Sequence, residues 1–95
     1  MSKFKRGIDV SENNGWVDWD AVKAAGYEFA IIRCSYGRTG IDEMFQRNVA
    51  EAHRVGLLVG AYHYGYGLNV WQAREEARHC RKVIDDAGVL LELPV

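Results

Sequence analysis

The chain contains 95 residues, of which 48% are hydrophobic and 26% are charged, and its formal net charge is -1. That length allows one domain, whose folding hides roughly 60–65% of the surface of the unfolded chain, and the composition is typical of a soluble globular protein. The small net charge excludes a field that would attract nucleic acid or an anionic membrane. Cys34 and Cys80 are too few for a disulfide scaffold or a zinc motif, so we expect both to be reduced and buried.

The N-terminal segment is basic, but no apolar run follows it. We therefore expect no secretory signal peptide and synthesis in the cytoplasm. No stretch of the sequence approaches the length and apolarity of a transmembrane helix.

The first predicted element is a short strand, Gly7–Val10, followed by the polar loop 11–15. This places Asp9 at the carboxyl end of a strand, the edge at which proteins of alternating strands and helices carry out their chemistry. The alternative is that Asp9 and Ser11 only stabilise the turn through bonds to their own backbone.

A helix is predicted from its N-cap Asp18 to its terminating residue Gly26. The run 29–34 is almost continuously apolar, which is typical of a strand covered on both faces. A second helix ends at Gly56. Its apolar face carries Phe45, Val49, Ala52 and Val55.

A third strand is predicted over 57–64, the longest helix over 70–87 and a fourth strand over 89–95. Strands that alternate with helices indicate the α/β class, with parallel strands joined by crossover helices. The segments 26–37 and 56–67 both begin with Gly and end with Tyr-Gly, so a unit of about thirty residues recurs, as in barrels and doubly wound sheets.

Five motifs occur here in the order in which one family has them: Gly-Ile-Asp-Val-Ser at 7–11, Val-Asp-Trp at 17–19, Phe-Ala-Ile-Ile-Arg-Cys-Ser-Tyr-Gly at 29–37, Asp42 with Phe45 and Asn48, and Gly-Leu-Leu-Val-Gly-Ala-Tyr-His-Tyr at 56–64. From Gly7 to Val95 the chain resembles family 25 of the glycoside hydrolases, the Chalaropsis-type lysozymes of bacteria and their phages. The resemblance implies an irregular (β/α)8 barrel of the TIM type. It also implies cleavage of the β-1,4 bond between N-acetylmuramic acid and N-acetylglucosamine in peptidoglycan, without a cofactor, by an endolysin or autolysin acting on the cell wall.

Two residues match functional positions of that family. Asp9 matches the active-site aspartate that follows the first strand, and Tyr62 matches an aromatic residue that lines the saccharide groove. The family's Asp-x-Glu pair, which supplies the catalytic acid, follows the fourth strand, whereas this sequence ends at Leu-Glu-Leu-Pro-Val.

A barrel of this type needs eight strands and roughly 200 residues. We therefore expect residues 1–95 to be the N-terminal part of one catalytic domain, truncated before the Asp-x-Glu motif and inactive alone. The edges of such a half-barrel would invite self-association.

Glycoside cleavage needs a proton donor and a group that supports positive charge on the sugar. Asp9 suits the second role. Tyr62, Tyr64 and Tyr66 alternate along the third strand and should share one face, where aromatic rings can stack on sugars. The alternative is that these rings fill the barrel interior. For Tyr64, sugar binding and interior packing are equally consistent with the sequence. For Tyr66, interior packing or a contact with a loop is preferred.

Arg33 requires a carboxylate partner if it is buried, and Asp9 on the neighbouring strand is the expected one. A structural ion pair and a substrate contact are both consistent with Arg33. His63 is expected to be a core histidine, whereas His53 and His79 are expected to be solvated, and their spacing argues against a metal site.

Two alternatives remain. Gly65-Tyr66-Gly67 lies between a strand and a helix, as phosphate-binding loops do, but position 70 is Val where the nucleotide fingerprint has its third glycine. The other alternative is a half-barrel that binds glycan or dimerises without catalysis, since neither Glu12 nor Glu92 replaces the missing acid.

Overall fold

The computed structural model describes residues 6–93. The order of its elements is β1 (Gly7–Val10), a 3-10 turn (Glu12–Asn14), α1 (Trp19–Ala24), β2 (Phe29–Tyr36), β3 (Gly40–Ile41), α2 (Phe45–Arg54), β4 (Leu58–Tyr64) and α3 (Val70–Ala87). The prediction of three strand–helix units is confirmed in its order, and the bounds of α3 agree with those predicted.

The sheet is mixed rather than wholly parallel. β2 lies between β1 and β4 and pairs parallel with both, but Ser35 and Tyr36 at its end pair antiparallel with β3. The prediction of parallel strands alone is therefore wrong, because Gly40 and Ile41 form a short antiparallel strand after β2. Gly37 has a φ of 58°, which lets the chain turn back tightly after β2.

The helices cover one face of the sheet, and this face forms the core. Val10 and Ile32 are paired positions on β1 and β2, and both are buried together with Val59 of β4. The helices contribute Trp19 and Phe45, which are 1% and 2% exposed. Burying a ring of this size stabilises the fold by about 4 kcal/mol.

The recurring unit found in the sequence corresponds to a repeated turn between helix and strand. Gly26 follows α1 with a φ of 93°, and Gly56 follows α2 with a φ of 86°. Both values lie in the region that only glycine adopts readily. The same turn therefore leads into β2 and into β4.

The strand predicted over 89–95 is not formed within residues 89–93, and residues 94 and 95 lie outside the described residues. The segment still lies along the edge of β4, because the N–H groups of Glu92 and Leu93 both donate to the carbonyl of Val59. The side chain of Glu92 accepts the N–H of Val59 at 2.8 Å. A backbone carbonyl cannot then take that donor, and the regular ladder is interrupted.

α3 is only partly buried. Glu76, Cys80 and Val83 are buried, whereas Val70 is 68% exposed and Ala73 is also exposed. No helix within residues 6–93 combines the length and the apolarity needed to cross a membrane.

Candidate functional site

The candidate site lies on the face of the sheet that the helices leave open, at the carboxyl ends of the strands. Asp9 pairs with Ile31, and Arg33 pairs with Tyr62. Because side chains alternate along a strand and paired residues point the same way, Asp9, Arg33 and Tyr62 share this face. Tyr64, two residues beyond Tyr62, is on the same face and is 52% exposed.

Arg33 is bound by two carboxylates, and neither belongs to Asp9. Its Nε lies 3.0 Å from Oδ2 of Asp42, and its Nη2 lies 3.1 Å from Oε1 of Glu12. The expected pair between Arg33 and Asp9 is therefore wrong. The antiparallel turn through β3 explains the difference, since it returns Asp42 to β2, where the N–H of Asp42 donates to the carbonyl of Cys34.

Asp42 is the centre of this network. Its side chain has no solvent exposure, and besides Arg33 it accepts the backbone N–H groups of Glu12 at 2.9 Å and Met44 at 3.0 Å. Glu12 in turn accepts the N–H of Glu43. The network thus joins the loop after β1 to the start of α2 and holds the guanidinium between them.

The charges in this network affect two pKa values. Burial alone would lower the pKa of Arg33, but the hydrogen bond and charge of Asp42, together with the charge of Glu12, raise it above its ordinary value. Burial raises the pKa of the Tyr62 hydroxyl, Arg33 opposes that effect, and Asp9 and Asp42 add to it. Arg33 is therefore charged at every physiological pH, and Tyr62 keeps its proton.

Asp9 itself is exposed. Within residues 6–93 its carboxylate forms no salt bridge, whereas Arg33 is engaged by Asp42 and Glu12. The carboxylate of Asp9 is consequently open to a ligand on the uncovered face of the sheet.

β2 carries a bulge at Cys34, and this changes which residues face the helices. The register with β4 shifts between Arg33 and Ser35, so that Ser35 pairs with His63. Cys34 and Ser35, although adjacent, both contact groups on the helix side: Cys34 contacts Cys80 of α3, and Ser35 contacts His63. An extra residue on one strand is what permits this arrangement.

A buried polar chain runs from the bulge to α3. Ser35 Oγ lies 2.7 Å from Nδ1 of His63, and Nε2 of His63 lies 2.9 Å from Oε1 of Glu76. Because an ionised carboxylate only accepts hydrogen bonds, Nε2 of His63 donates to Glu76. Ser35 has no solvent exposure, so this serine–histidine–glutamate series is a structural connection rather than a nucleophilic triad. His63 faces the helices and both of its ring nitrogens are hydrogen-bonded, as expected of a core histidine, and its side chain keeps 13% exposure.

Glu76 continues this chain into the loop after β4. Its carboxylate accepts the N–H of Tyr66, and hydrogen bonds from His63 first, then from Tyr66 and Gly67, lower its pKa. The loop Gly65-Tyr66-Gly67 therefore surrounds a protein carboxylate. A phosphate would be repelled there, and the geometry argues against the nucleotide-binding alternative.

Exposed aromatic side chains continue beyond this loop. Tyr66 is 61% exposed. Its ring packs edge-on against the ring of Tyr64, with 5.2 Å between the ring centres, so its predicted loop contact is present. Trp71 is 60% exposed, and the guanidinium carbon of Arg38 lies 5.6 Å from the centre of the Trp71 ring. The carboxyl edge of the sheet is thus lined with rings that a planar apolar surface could contact.

The two other acids that could replace the missing proton donor are committed to protein partners. Glu12 binds Arg33, and Glu92 binds both His53 at 2.8 Å and the N–H of Val59. Burial would raise the pKa of Glu92, but the bonds from His53 and Val59 lower it. Glu92 is therefore ionised near neutral pH and does not hold a proton for donation.

His53 and His79 are not simply solvated as predicted. Each is partly buried and has a partner: Glu92 for His53, and the carbonyl of Gly40, 2.6 Å from Nε2, for His79. The turn through β3 brings that carbonyl against α3. Within residues 6–93, no cluster of three or more His, Cys, Asp and Glu side chains could hold a metal ion.

Reasoning from the sequence missed Asp42 as the partner of Arg33 and Glu76 as the anchor of the loop. Asp42 stands two residues before Met44, the N-cap of α2. An aspartate just before a helix is a signal for a carboxylate that accepts N–H groups at the helix start. Glu76 lies three residues after Ala73 and four before Cys80, so helical spacing places this acid on the apolar side of α3, and a buried acid there requires a polar partner.

Comparison with known proteins agrees with this fold. The sequence model described as Glycosyl hydrolases family 25 matches residues 8–90. Lysozyme M1 of Streptomyces globisporus is 41% identical over 59 residues, which are 62% of this chain and 20% of that protein. The solved structure of the CTP1L endolysin has a TM-score of 0.86 at 28% identity over 96% of this chain and 33% of its own.

The autolysin LytC from Streptococcus pneumoniae, solved in complex with a synthetic peptidoglycan ligand, has a TM-score of 0.83 at 29% identity over 95% of this chain and 21% of its own. The chain therefore spans between a fifth and a third of the length of these relatives. Since the family model matches most of the sequence and the mixed α/β fold is that of these solved relatives, the chain belongs to family 25 of the glycosyl hydrolases.

Proposed function

We propose that this chain forms the Asp9 side of a site that binds and cleaves the glycan strands of peptidoglycan, as an N-acetylmuramidase. The observation that carries the proposal is that Asp9, Arg33 and Tyr62 share the open face of the sheet at the carboxyl ends of three parallel strands. Membership of family 25 supports the reaction class. The names of its relatives, an endolysin and an autolysin, support action at the cell wall.

Asp9 is the catalytic residue in this proposal. Cleavage develops positive charge on the sugar carbon, and an ionised carboxylate near that carbon stabilises it. Asp9 is exposed and forms no salt bridge among the described residues, so its charge is available to the sugar.

Tyr62 and Tyr64 are the substrate-binding rings. Both point to the Asp9 side, and an aromatic ring can pack on the apolar face of a sugar while its hydroxyl bonds to a polar substituent. The pKa of Tyr62 is raised, so that hydroxyl remains a hydrogen-bond donor.

Arg33 acts mainly as a positioning residue. Two of its nitrogens are bound to Asp42 and Glu12, and its guanidinium lies 4.8 Å from the centre of the Tyr36 ring. Arg33 holds the loop after β1 in place and provides the positive charge nearest to Tyr62. Any contact of Arg33 with glycan would come from its remaining nitrogen, Nη1.

We further propose that this sheet is the first half of an irregular (β/α)8 barrel. The uncovered face that carries Asp9 would then line the barrel interior, and residues 1–95 would be the N-terminal part of one catalytic domain that precedes the Asp-x-Glu motif. The proton donor would come from that motif. The outer edge of β1, which pairs with no strand within residues 6–93, is where self-association of the chain would begin.

A second candidate function is binding of the glycan without cleavage. The observation that favours it is that Glu12 and Glu92 are both hydrogen-bonded to protein groups, which leaves neither of them as the proton donor. The rings and Asp9 would still form a binding surface.

The test measures two quantities on the same chain: release of reducing ends from purified peptidoglycan, and co-sedimentation with it. Asp9→Asn is compared with Asp86→Asn, an exposed acid on α3 that pairs with Lys82. Release that is lost only in Asp9→Asn supports the hydrolase and overturns the placement of the proton donor in the Asp-x-Glu motif, because residues 1–95 would then supply a donor of their own. Co-sedimentation without release, weakened in Asp9→Asn, is the result expected of this chain when the donor comes from that motif or when the chain only binds glycan, and failure of both measurements overturns the proposal.

A further inference from the structure

The two cysteines form a contact pair between the sheet and the longest helix. Cys34 lies in the bulge of β2 and Cys80 on α3, and their Sγ atoms are 3.7 Å apart although 46 residues separate them in sequence. Both thiols are free. A disulfide bond is about 2.0 Å long, so closure requires the two sulfurs to approach by less than 2 Å.

The two thiols differ in their access to solvent. Cys80 lines an open groove of about 780 Å³ beside α3, together with Ala77 and Ile84, and is 8% exposed. Cys34 has no exposure. A small molecule that enters the groove therefore reaches Cys80 first.

Chemistry adds to this difference. Burial is the main cause that raises the pKa of the Cys34 thiol to about 11, and the neighbouring Cys80 sulfur adds to it. Because the thiolate is the nucleophile in thiol exchange, Cys34 is a poor first attacker. It can still attack a sulfur that is already bonded to Cys80 and lies in contact with it.

The packing of α3 allows the small movement that closure needs. Its buried residues are only Glu76, Cys80 and Val83, and the face of the helix around Cys80 borders the open groove. A shift of the helix toward β2 at Cys80 would displace few neighbours.

We propose that Cys34 and Cys80 form a redox modification site that accepts disulfide oxidants of the glutathione class. In the first step the Cys80 thiolate bonds to one sulfur of glutathione disulfide, the bond between the two glutathione sulfurs breaks, and the departing glutathione takes up the proton from Cys80. In the second step the Cys34 thiolate bonds to the Cys80 sulfur and the second glutathione leaves with the remaining proton. Two electrons pass from the protein thiols to glutathione disulfide, which becomes two molecules of glutathione.

The proposal does not depend on the function assigned to the Asp9 face. Cys34 and Cys80 lie on the helix side of the sheet, whereas Asp9 and Tyr62 lie on the open side. Oxidation would tie α3 to β2 and leave the glycan-binding residues uncovered.

The experiment incubates the folded, reduced chain with glutathione disulfide and measures the intact mass and the tryptic peptides. The linked form should be about 2 Da lighter than the reduced chain. Trypsin cleaves after Arg33, Arg38, Arg78 and Arg81, so the product should join peptides 34–38 and 79–81, neither of which contains another cysteine. Its melting temperature should be at least about 5 °C higher than that of the reduced chain.

Two variants test the order of the steps. Cys34→Ala should stop after the first step and gain about 305 Da as a stable glutathione adduct at Cys80. Cys80→Ala should remain unmodified while folded and become modified at Cys34 in urea. The proposal is overturned if the folded wild-type chain yields no linked peptide, or if Cys34 takes up glutathione as fast as Cys80 does.

Discussion

The carboxylate of Asp42, which has no solvent exposure, lies 3.0 Å from Nε of Arg33. This pair connects the end of β2 to the start of α2, and Glu12 extends it to the loop after β1. Three segments are thereby fixed beside Asp9 and Tyr62.

Asp42→Asn should destabilise the fold strongly. The substitution leaves the buried guanidinium of Arg33 with only the partly exposed Glu12, and breaking a buried ion pair in this way costs roughly 3–5 kcal/mol. Urea unfolding followed by circular dichroism measures the effect. Asp20→Asn, which removes an exposed partner of Arg54, is the matched control and should leave the midpoint almost unchanged; equal effects of the two variants would contradict the buried network.

Glu76→Gln should reduce the dependence of stability on acid pH. Its hydrogen bond to His63 is the first cause that lowers the pKa of Glu76. The stabilisation is therefore fully present above the ordinary value of 4.5 and is lost as the pH falls through the lower folded value.

Thermal melts between pH 6 and pH 3 compare the wild type, Glu76→Gln and Glu75→Gln. Glu75 is the adjacent, more exposed acid and pairs with Arg78. The wild type and Glu75→Gln should lose stability more steeply than Glu76→Gln. Parallel curves for all three chains would show that Glu76 is not held by the loop.

Asp9→Asn should lower the pKa of the Tyr62 hydroxyl. Asp9 is one of the charges that raise that pKa, after burial, so removing its charge favours the tyrosinate. NMR titration of a chain with 13C-labelled tyrosine rings measures the shift, and Tyr62→Phe identifies the signal. Asp86→Asn, which removes an exposed charge that pairs with Lys82 on α3, is the control and should leave the Tyr62 signal unchanged.

Tyr62→Ala should weaken co-sedimentation with peptidoglycan by about five- to tenfold, since a lost aromatic contact of about 1 kcal/mol corresponds to that change in affinity. Tyr27→Ala is the control for loss of a ring outside the site. Unchanged binding in Tyr62→Ala would remove Tyr62 from the proposed groove.

The sequence predicted the elements well because their signals are local. The N-cap Asp18 accepts the N–H of Ala21, and the apolar spacing of Phe45, Val49 and Ala52 matches their burial. The failures involve pairing over distance: β3, the interrupted strand near Glu92, and the partner of Arg33. Each depends on a single turn or side chain whose effect cannot be read from periodicity.

The candidate site divides in the same way. The positions of Asp9 and Tyr62 on one face follow from alternation along parallel strands. The anchoring of the loop after β4 by Glu76 does not follow from alternation. It requires the bulge at Cys34, which places Ser35 beside His63 on the helix side.

The contact between Glu92 and Val59 has a consequence for aggregation. The exposed edge of β4 would offer its N–H and carbonyl groups to a strand from another molecule, but the side chain and backbone of Glu92 already occupy those of Val59. Glu92 thus acts as a gatekeeper near the amino end of that edge. Replacing it with alanine would free a template for fibril growth, which thioflavin fluorescence would register as a shorter lag time.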